Sequence, residues 1–237
     1  MSCYVEKVIE VARKEVGYSE KASNSKLDSK TANAGYKNYT KYARDLDKVS
    51  GFYNGKKNGF AWCDVFVDWC FYKAYGTANA KRLLYQPSKS LGAGCEYSMQ
   101  YYKKNGRFKT SPKIGDQIFF KNSKGEICHT GLVYKVDKTY VYTVEGNTSS
   151  ASGVVSDGGG VREKKYKRTS SSIAGYGRPA YTTTSYQCIH KVVKDDTLWD
   201  LAVKYLGKGT RYKEIMTMNS KKTSDLKIGE KLKIPKK

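Results

Sequence analysis

The chain has 237 residues, of which 39% are hydrophobic and 4 are proline, so it can bury a sizeable core and is unlike a disordered polypeptide. Its 44 Lys and Arg against 22 Asp and Glu give a net charge of +22, which predicts a polyanionic partner such as nucleic acid, an anionic membrane or an anionic cell wall. No apolar run reaches the ~18 residues of a membrane span, and no nucleic-acid-reading module is recognisable.

The first hundred residues predict helices. Residues 1–17 have the apolar spacing of an amphipathic helix closed by Gly17, and charges interrupt each apolar pair, so no signal peptide is expected. Further helices are predicted around 38–46, over 62–75 with Gly76 as the stop, and over 94–104.

After Pro112 the apolar residues alternate with period two. This pattern predicts strands at 117–121, 129–136 and 140–145, a turn at 156–160 between two strands, and a last strand within 175–181. Helices followed by antiparallel strands indicate an α+β class. A polar linker at 182–185 is followed by a strand–helix–helix–strand (βααβ) pattern, so we predict two domains, 1–181 and 186–237.

Six cysteines, at positions 3, 63, 70, 95, 128 and 188, form no CxxC pair and no zinc-site spacing, so most are expected to be buried thiols. Two lie in FAWCDVFVDWC (60–70). Cys70 falls mid-helix on an apolar stripe with Cys63, Phe66 and Ala74, while Asp64 and Asp68 point elsewhere, which predicts a core position for Cys70. Cys63 lies in the first helical turn, where free N–H groups and the helix dipole can lower a cysteine pKa from ~8.5 towards ~7. By itself, Cys63 is better explained as a core residue, and a catalytic role needs a base nearby.

A base for Cys63 is predicted in the hairpin HTGLVYKVDKTYVYTVEGN (129–147). A turn centred on Lys138 places Gly131 opposite Glu145 and His129 opposite Asn147, on one face. The other face is predicted to be plain core, formed by the following residues: Leu132, Tyr134, Val136, Tyr140, Tyr142 and Val144. A register slip of one residue would destroy this grouping.

These residues suggest nucleophilic catalysis. A Cys63 thiolate would attack a carbonyl carbon, His129 would transfer the proton, and Glu145 or Asn147 would orient the imidazole. The backbone N–H of Cys63 could stabilise the oxyanion. The alternative is a structural histidine at a strand end beside a solvent-facing glutamate.

The motifs AWCDVFVDWCFYKAYG (61–76), PKIGDQIFF (112–120), HTGLVY (129–134) and VEGN (144–147) resemble the CHAP family of peptidoglycan amidases and endopeptidases. The resemblance covers roughly residues 1–181 and implies a papain-like fold. It makes Cys63 the nucleophile, His129 the base, Glu145 the residue that orients His129, and Asn147 its neighbour in the site. Some family members carry an Asp-rich calcium loop before the cysteine. Here that stretch is FYNGKKNGFAWC (52–63), so we expect no metal requirement and no cofactor.

Residues 186–237 resemble a LysM module through DDTLWDLAVKY (195–205), MN (218–219) and LKIGEKLKIP (226–235). Asp195 or Asp196 with Thr197 can cap a helix beginning near Leu198, Trp199 is expected in the core, and His190 on the surface. The resemblance implies that a groove binds N-acetylglucosamine-containing glycans. By position its residues are Asp196, Thr197, Leu198, Asp225, Leu226 and Ile228. A basic domain without glycan affinity is the alternative.

The combined prediction is an endolysin-like peptidoglycan hydrolase of phage or prophage type, acting as an amidase or an endopeptidase. We expect a monomer that binds the glycan and stem peptide of a Gram-positive wall, without nucleic acid or membrane insertion. It would be synthesised in the cytoplasm and act at the wall after release. Two rivals are a non-catalytic wall-binding protein and a basic nucleic-acid-binding protein. The muramoyl–alanine bond, a stem-peptide bond and a cross-bridge bond all fit as the amide that is cleaved.

Overall fold

The computed structural model describes residues 5–88, 92–181 and 186–235, and the chain divides into two compact units, Met1–Thr182 and Thr183–Lys237. Cys3 and the linker predicted at 182–185 lie outside the described residues. Each unit has its own hydrophobic core. The α+β class is confirmed, because helices precede an antiparallel sheet in the first unit.

The described helices of the first unit are α1 (Val5–Lys14), α2 (Lys41–Asp47), α3 (Cys63–Tyr75), α4 (Thr77–Leu83) and α5 (Cys95–Lys104). Helix α4 was not predicted. Gly76, at φ +78°, is both the residue after α3 and the residue before α4, so the stop signal of one helix masks the start of the next.

The six-stranded sheet has the order β1-β6-β2-β3-β4-β5, with antiparallel neighbours throughout. Its strands are β1 (Phe108–Lys109), β2 (Gln117–Lys121), β3 (Ile127–Val136), β4 (Tyr140–Thr148), β5 (Gly160–Lys167) and β6 (Ile173–Gly177). Leu132 and Val144 join the large core with the helices, whereas Val133 and Val141 belong to a second apolar cluster with Phe120 and Tyr166. The sheet is therefore covered by apolar packing on both faces.

Helix α3 lies at the centre of the first unit, against α1, α2, α4, α5 and strands β3 and β4. The sequence predicted that one apolar stripe of α3 would be buried, but residues on all of its sides are buried. Cys70 is fully buried as expected, but Asp64 and Asp68, which were expected to point away from the core, are buried as well. A helix that is surrounded on all sides must pair its polar side chains internally.

The hairpin register is confirmed beside the site and wrong beside the turn. Leu132 pairs with Val144 and Val133 with Thr143, as predicted. A bulge then shifts the register by one residue, so that Lys135 pairs with Tyr142. Because such a shift exchanges the two faces of the strand, the fully buried residue near the turn is Val141, and the predicted core residues Tyr140 and Tyr142 are only half-buried.

The second unit consists of β7 (Tyr186–Lys191), α6 (Leu198–Leu206), a 3-10 turn (Gly209–Arg211), α7 (Tyr212–Met218) and β8 (Lys231–Pro235), which confirms the βααβ pattern. The Thr197 hydroxyl caps α6 by accepting the Asp200 N–H at 3.1 Å. The core of this unit is formed by Val192, Leu198, Leu201, Ala202, Leu206, Ile215, Leu232 and Ile234. Within the described ranges, none of the helices is both long and apolar enough to cross a membrane.

Candidate functional site

The start of α3 is held by packing, because no side chain caps it. Trp62, the residue before the helix, is fully buried and donates its indole N–H to Glu20 at 2.7 Å. Its ring packs against Tyr42, with 5.5 Å between the centroids, and against Phe66. The position of Cys63, the first helical residue, is thus fixed by its aromatic neighbours.

Cys63 is buried, with 8% of the residue's surface exposed to solvent. Hydrogen bonding to Cys95, burial and the negative charge of Asp64 raise the pKa of this thiol well above its ordinary value, although the Asp64 backbone N–H opposes the shift. The expectation that the helix start lowers this pKa is therefore wrong for this structure. Moving a thiolate out of water costs more free energy than the few N–H dipoles of a helix start supply by stabilising its charge.

His129 and Glu145 form a fully buried pair, with His129 Nε2 3.0 Å from Glu145 Oε2. An ionised carboxylate can only accept a hydrogen bond, so the contact requires that His129 carries its ring proton on Nε2 and donates it to Glu145. His129 Nδ1 is also buried and has no hydrogen-bond partner among the residues that the structure describes. It is the ring nitrogen that can accept a proton.

Two hydroxyl groups support the carboxylate from the sheet. The Tyr166 hydroxyl donates to Glu145 Oε2 at 3.1 Å, and the Thr143 hydroxyl donates to Oε1 at 2.5 Å. Burial and the negative charge of Glu145 raise the pKa of Tyr166. Phe120 stacks on the His129 ring, with 5.9 Å between centroids. Glu145 is therefore held as an acceptor in a fixed orientation.

Sequence reasoning missed Tyr166 and Phe120. Tyr166 lies on β5, whose pairing with β4 was not predicted, although a single aromatic within the charged run of residues 162–168 was an available signal. Gly131 was correctly expected to leave room, since a Cβ there would lie 2.5 Å from Glu145 Cγ.

Asn147 lies in an irregular part of β4 with φ +54°. Its side-chain oxygen accepts the Gly159 N–H at 3.2 Å, and its carbonyl accepts the Gly158 N–H at 3.0 Å. Its Nδ2 is buried without a partner. The structure thus joins Asn147 to the predicted glycine turn instead of to His129, and its part in the site stays a prediction.

Helix α3 packs on β3 and β4, the strands that carry His129 and Glu145. Neither ring nitrogen of His129 is hydrogen-bonded to Cys63, since Nε2 contacts Glu145 and Nδ1 has no partner. Among the described residues, no group of three or more His, Cys, Asp or Glu side chains is placed to hold a metal ion.

The second unit has a surface cavity of about 510 Å³, lined by Asp196, Thr197, Leu198, Trp199, Tyr212, Ser224 and Leu226. Four of the six residues predicted for the glycan groove line it. Asp225 and Ile228 are exposed and lie outside this lining. The Asp196 carboxylate accepts from His190 Nε2 and from the Val193 N–H, each at 2.7 Å, and the hydrogen bond from His190 holds the pKa of Asp196 below its usual value. The Asp196 carboxylate therefore holds the loop between β7 and α6 through its hydrogen bonds with His190 and Val193.

Two expectations for this unit are wrong. Trp199 is 52% exposed and lies near Tyr212, with 6.2 Å between ring centroids, so it is not a core residue. Its indole rests on Gly209, where a Cβ would approach to 2.1 Å. His190 is not a free surface residue, because its ring contacts Tyr205 and Asp196 at 3.0 and 2.7 Å. Trp199 is thus more exposed than expected, and His190 lies on strand β7 as expected but is half-buried.

Comparison with family models gives two matches. Residues 55–147 match the CHAP domain, and residues 190–235 match the LysM domain. No curated protein matches the chain significantly. The first match contains Cys63, His129, Glu145 and Asn147, and the second contains the cavity beside Trp199.

Proposed function

We propose that this chain, which carries a CHAP domain followed by a C-terminal LysM domain, is an endolysin-like hydrolase that cleaves an amide bond of peptidoglycan with Cys63 as nucleophile. The two domains support a wall-targeted hydrolase. The observation that carries the proposed chemistry is the buried His129–Glu145 pair, whose second ring nitrogen is unpartnered. It lies on the strands against which the Cys63 helix packs.

In the proposed reaction, Cys63 Sγ bonds to the carbonyl carbon of the amide while the thiol proton passes to His129 Nδ1. The imidazolium then donates this proton to the leaving nitrogen, the C–N bond breaks, and a thioester remains. Water attacks the thioester, with His129 again taking a proton, and the acid and the free thiol are released. Glu145 keeps the ring oriented and stabilises its positive charge.

The raised pKa of the Cys63 thiol, caused first by Cys95 and then by burial, favours one order of events. The thiol would lose its proton as it attacks, with His129 as general base, instead of resting as a thiolate. The Cys63 backbone N–H is among the helix-start donors that have no carbonyl four residues earlier to bond. It is therefore suited to stabilise the oxyanion of the tetrahedral intermediate.

The LysM domain would hold the enzyme on the glycan. Trp199, which is 52% exposed, and the half-buried Tyr212 line the cavity together with Thr197 and Leu198. Binding at this cavity raises the local concentration of the catalytic domain at its substrate. The net charge of +22 fits an anionic Gram-positive wall, reached after the membrane has been opened by a phage or prophage programme.

The test is hydrolysis of purified peptidoglycan by full-length protein and by Cys63→Ser. We expect Cys63→Ser to abolish product formation with the fold intact, because a hydroxyl is a far poorer nucleophile than a thiol in this site. Cys70→Ser is the matched control, since Cys70 is a fully buried thiol in the same helix. It should lower the unfolding midpoint and leave the catalytic groups in place.

Mass spectrometry of the products reports which amide is cut. Release of the stem peptide from muramic acid, with a new amino group on its first alanine, identifies an amidase, and cleavage between two amino acids identifies an endopeptidase. Full activity in Cys63→Ser would refute the nucleophile. Wall binding without any released product would favour a non-catalytic wall protein, and salt-sensitive DNA binding without wall clearing would favour a nucleic-acid-binding protein.

A further inference from the structure

A chain of buried hydrogen bonds joins the residue after Cys63 to the residue after His129. Gln117 Nε2 lies 3.0 Å from Asp64 Oδ1 and 3.1 Å from Thr130 Oγ1, so one amide group donates to both. We propose that these three side chains, the Asp64–Gln117–Thr130 brace, are positioning residues that fix Cys63 relative to His129. The inference rests on the proposed function, because it concerns the geometry of that site.

Each member of the brace is held by a further element. Asp64 Oδ2 accepts the Ser98 hydroxyl of α5 at 2.8 Å, and the Thr130 hydroxyl donates to the Ile118 carbonyl of β2 at 2.7 Å. Gln117 Oε1 accepts the Tyr102 hydroxyl at 3.2 Å. All three brace residues are buried, with at most 3% exposure. A buried network in which each polar group is paired is rigid, because breaking any bond leaves a desolvated group unsatisfied.

The placement of the brace suits this role. Cys63 begins a helix that has no side-chain cap, and His129 lies where the β2–β3 register changes between Phe120 and Lys121. Aromatic packing around Trp62 holds the start of the helix, and the brace adds a direct link from that start to strands β2 and β3. A displacement of about 1 Å in a catalytic group can cost on the order of 100-fold in rate. A rigid link one residue from each reacting group limits this displacement.

A test of the brace must distinguish its effect on the position of Cys63 from the effect of the Asp64 charge on the thiol. Burial raises the pKa of Asp64 to about 6, although Ser98 and Gln117 oppose the shift through their hydrogen bonds. Its charge is felt by the following titratable groups: Cys63, Asp68, Tyr53, Tyr101 and Tyr102. Substituting Asp64 would therefore change the electrostatics of the thiol as well as the brace. Thr130 carries no charge, so its substitution leaves the charges around the thiol unchanged and removes only the bonds of its hydroxyl to Gln117 and Ile118.

The experiment compares full-length Thr130→Val, Thr130→Ser and Thr148→Val. Valine removes the hydroxyl at nearly constant volume, and serine restores it. Thr148 is the matched control, a fully buried threonine on the neighbouring strand β4 whose hydroxyl has no hydrogen-bond partner. Two quantities are measured: kcat and KM on soluble peptidoglycan fragments, and the rate at which iodoacetamide alkylates Cys63 across pH, read by peptide mass spectrometry.

We expect Thr130→Val to lower kcat by on the order of 10- to 100-fold with KM unchanged, because only the alignment of reacting groups is lost. Alkylation of Cys63 at neutral pH should slow, since His129 no longer takes the thiol proton efficiently. Thr130→Ser should restore both quantities, and Thr148→Val should match wild type. If Thr130→Val does not fold, Gln117→Met, which removes the amide at similar length, takes its place.

Wild-type kcat and alkylation in Thr130→Val would overturn the inference, as would an equal loss in Thr148→Val. The alkylation measurement needs no substrate. If Cys63→Ser retains hydrolysis, the proposed function fails, and the alkylation profile alone then decides whether the brace sets the environment of Cys63.

Discussion

At the scale of single residues, the two ring nitrogens of the proposed base His129 differ in whether they are hydrogen-bonded. His129 Nε2 faces a carboxylate that also accepts two hydroxyl groups, while Nδ1 has no partner. In the proposed reaction Glu145 would therefore act through His129, without direct contact with a reacting bond. Loss of the ring and loss of the carboxylate should have different consequences.

We expect His129→Ala to abolish hydrolysis and Glu145→Gln to lower it by a much smaller factor. His129 is the histidine of the first unit and the proposed base, whereas His190 belongs to the second unit. Glutamine keeps an oxygen that can accept from the ring but removes the charge that stabilises the imidazolium. Because His129 must be unprotonated to act as general base, a less stable imidazolium should move the acid limb of the activity profile to lower pH.

The measurement is kcat/KM against pH for wild type and Glu145→Gln. Because a Cys–His pair titrates as a unit, the two limbs are assigned to the pair and not to either residue. Full activity with an unmoved profile would mean that the Glu145 charge has no part in the reaction.

At the scale of elements, the contact between α3 and β4 is close because of one glycine. A Cβ on Gly146 would lie 2.5 Å from Phe66 Cβ and 2.9 Å from Trp62 Cζ3. Both aromatic residues flank Cys63 in sequence and are fully buried. The helix can approach the strand only where the side chain is absent.

We expect Gly146→Ala to destabilise the first unit by about 1–3 kcal/mol, the usual cost of overpacking a close contact. Hydrogen exchange of the α3 and β4 amides in the full-length protein measures this effect. Gly55→Ala is the control, since Gly55 is exposed and a Cβ there meets nothing within 4 Å. Equal exchange rates in the two variants would show that α3 does not depend on this contact.

At the scale of the whole molecule, catalysis and wall retention are predicted to belong to different units. The two units have separate cores, and the family matches fall one in each. The basic charge is present in both parts of the sequence, so charge alone could hold either part on an anionic wall. Salt screens this attraction, with a Debye length of about 3 Å at 1 M.

Deletion of residues 183–237 should therefore leave a protein that cleaves soluble fragments but pellets poorly with whole walls at high salt. Trp199→Ala in the full-length chain is the point variant that tests the cavity without removing the domain. We expect it to weaken pelleting at high salt and to leave fragment hydrolysis unchanged, because Trp199 lines the cavity of the second unit and the proposed catalytic residues belong to the first. Equal pelleting of wild type, deletion and Trp199→Ala would contradict glycan binding by the second unit.

The sequence by itself determined the α+β class, the helix that begins at Cys63 and the register that sets Gly131 against Glu145. These follow from local periodicity, from glycine stops and from a short hairpin, each of which acts over few residues. The same local signals predicted the capped helix at Leu198 and the motifs of both family models.

Only the tertiary structure decided the environments of these residues. The thiol pKa of Cys63 depends on Cys95 and on burial, Glu145 depends on Tyr166 from β5, and the brace joins three elements that are distant in sequence. The bulge in β3 exchanged the faces near the turn, and Trp199 packs on Gly209 at the surface, with 52% exposure, instead of in the core. Desolvation and long-range contacts set these properties, and neither is encoded in the spacing of residues along the chain.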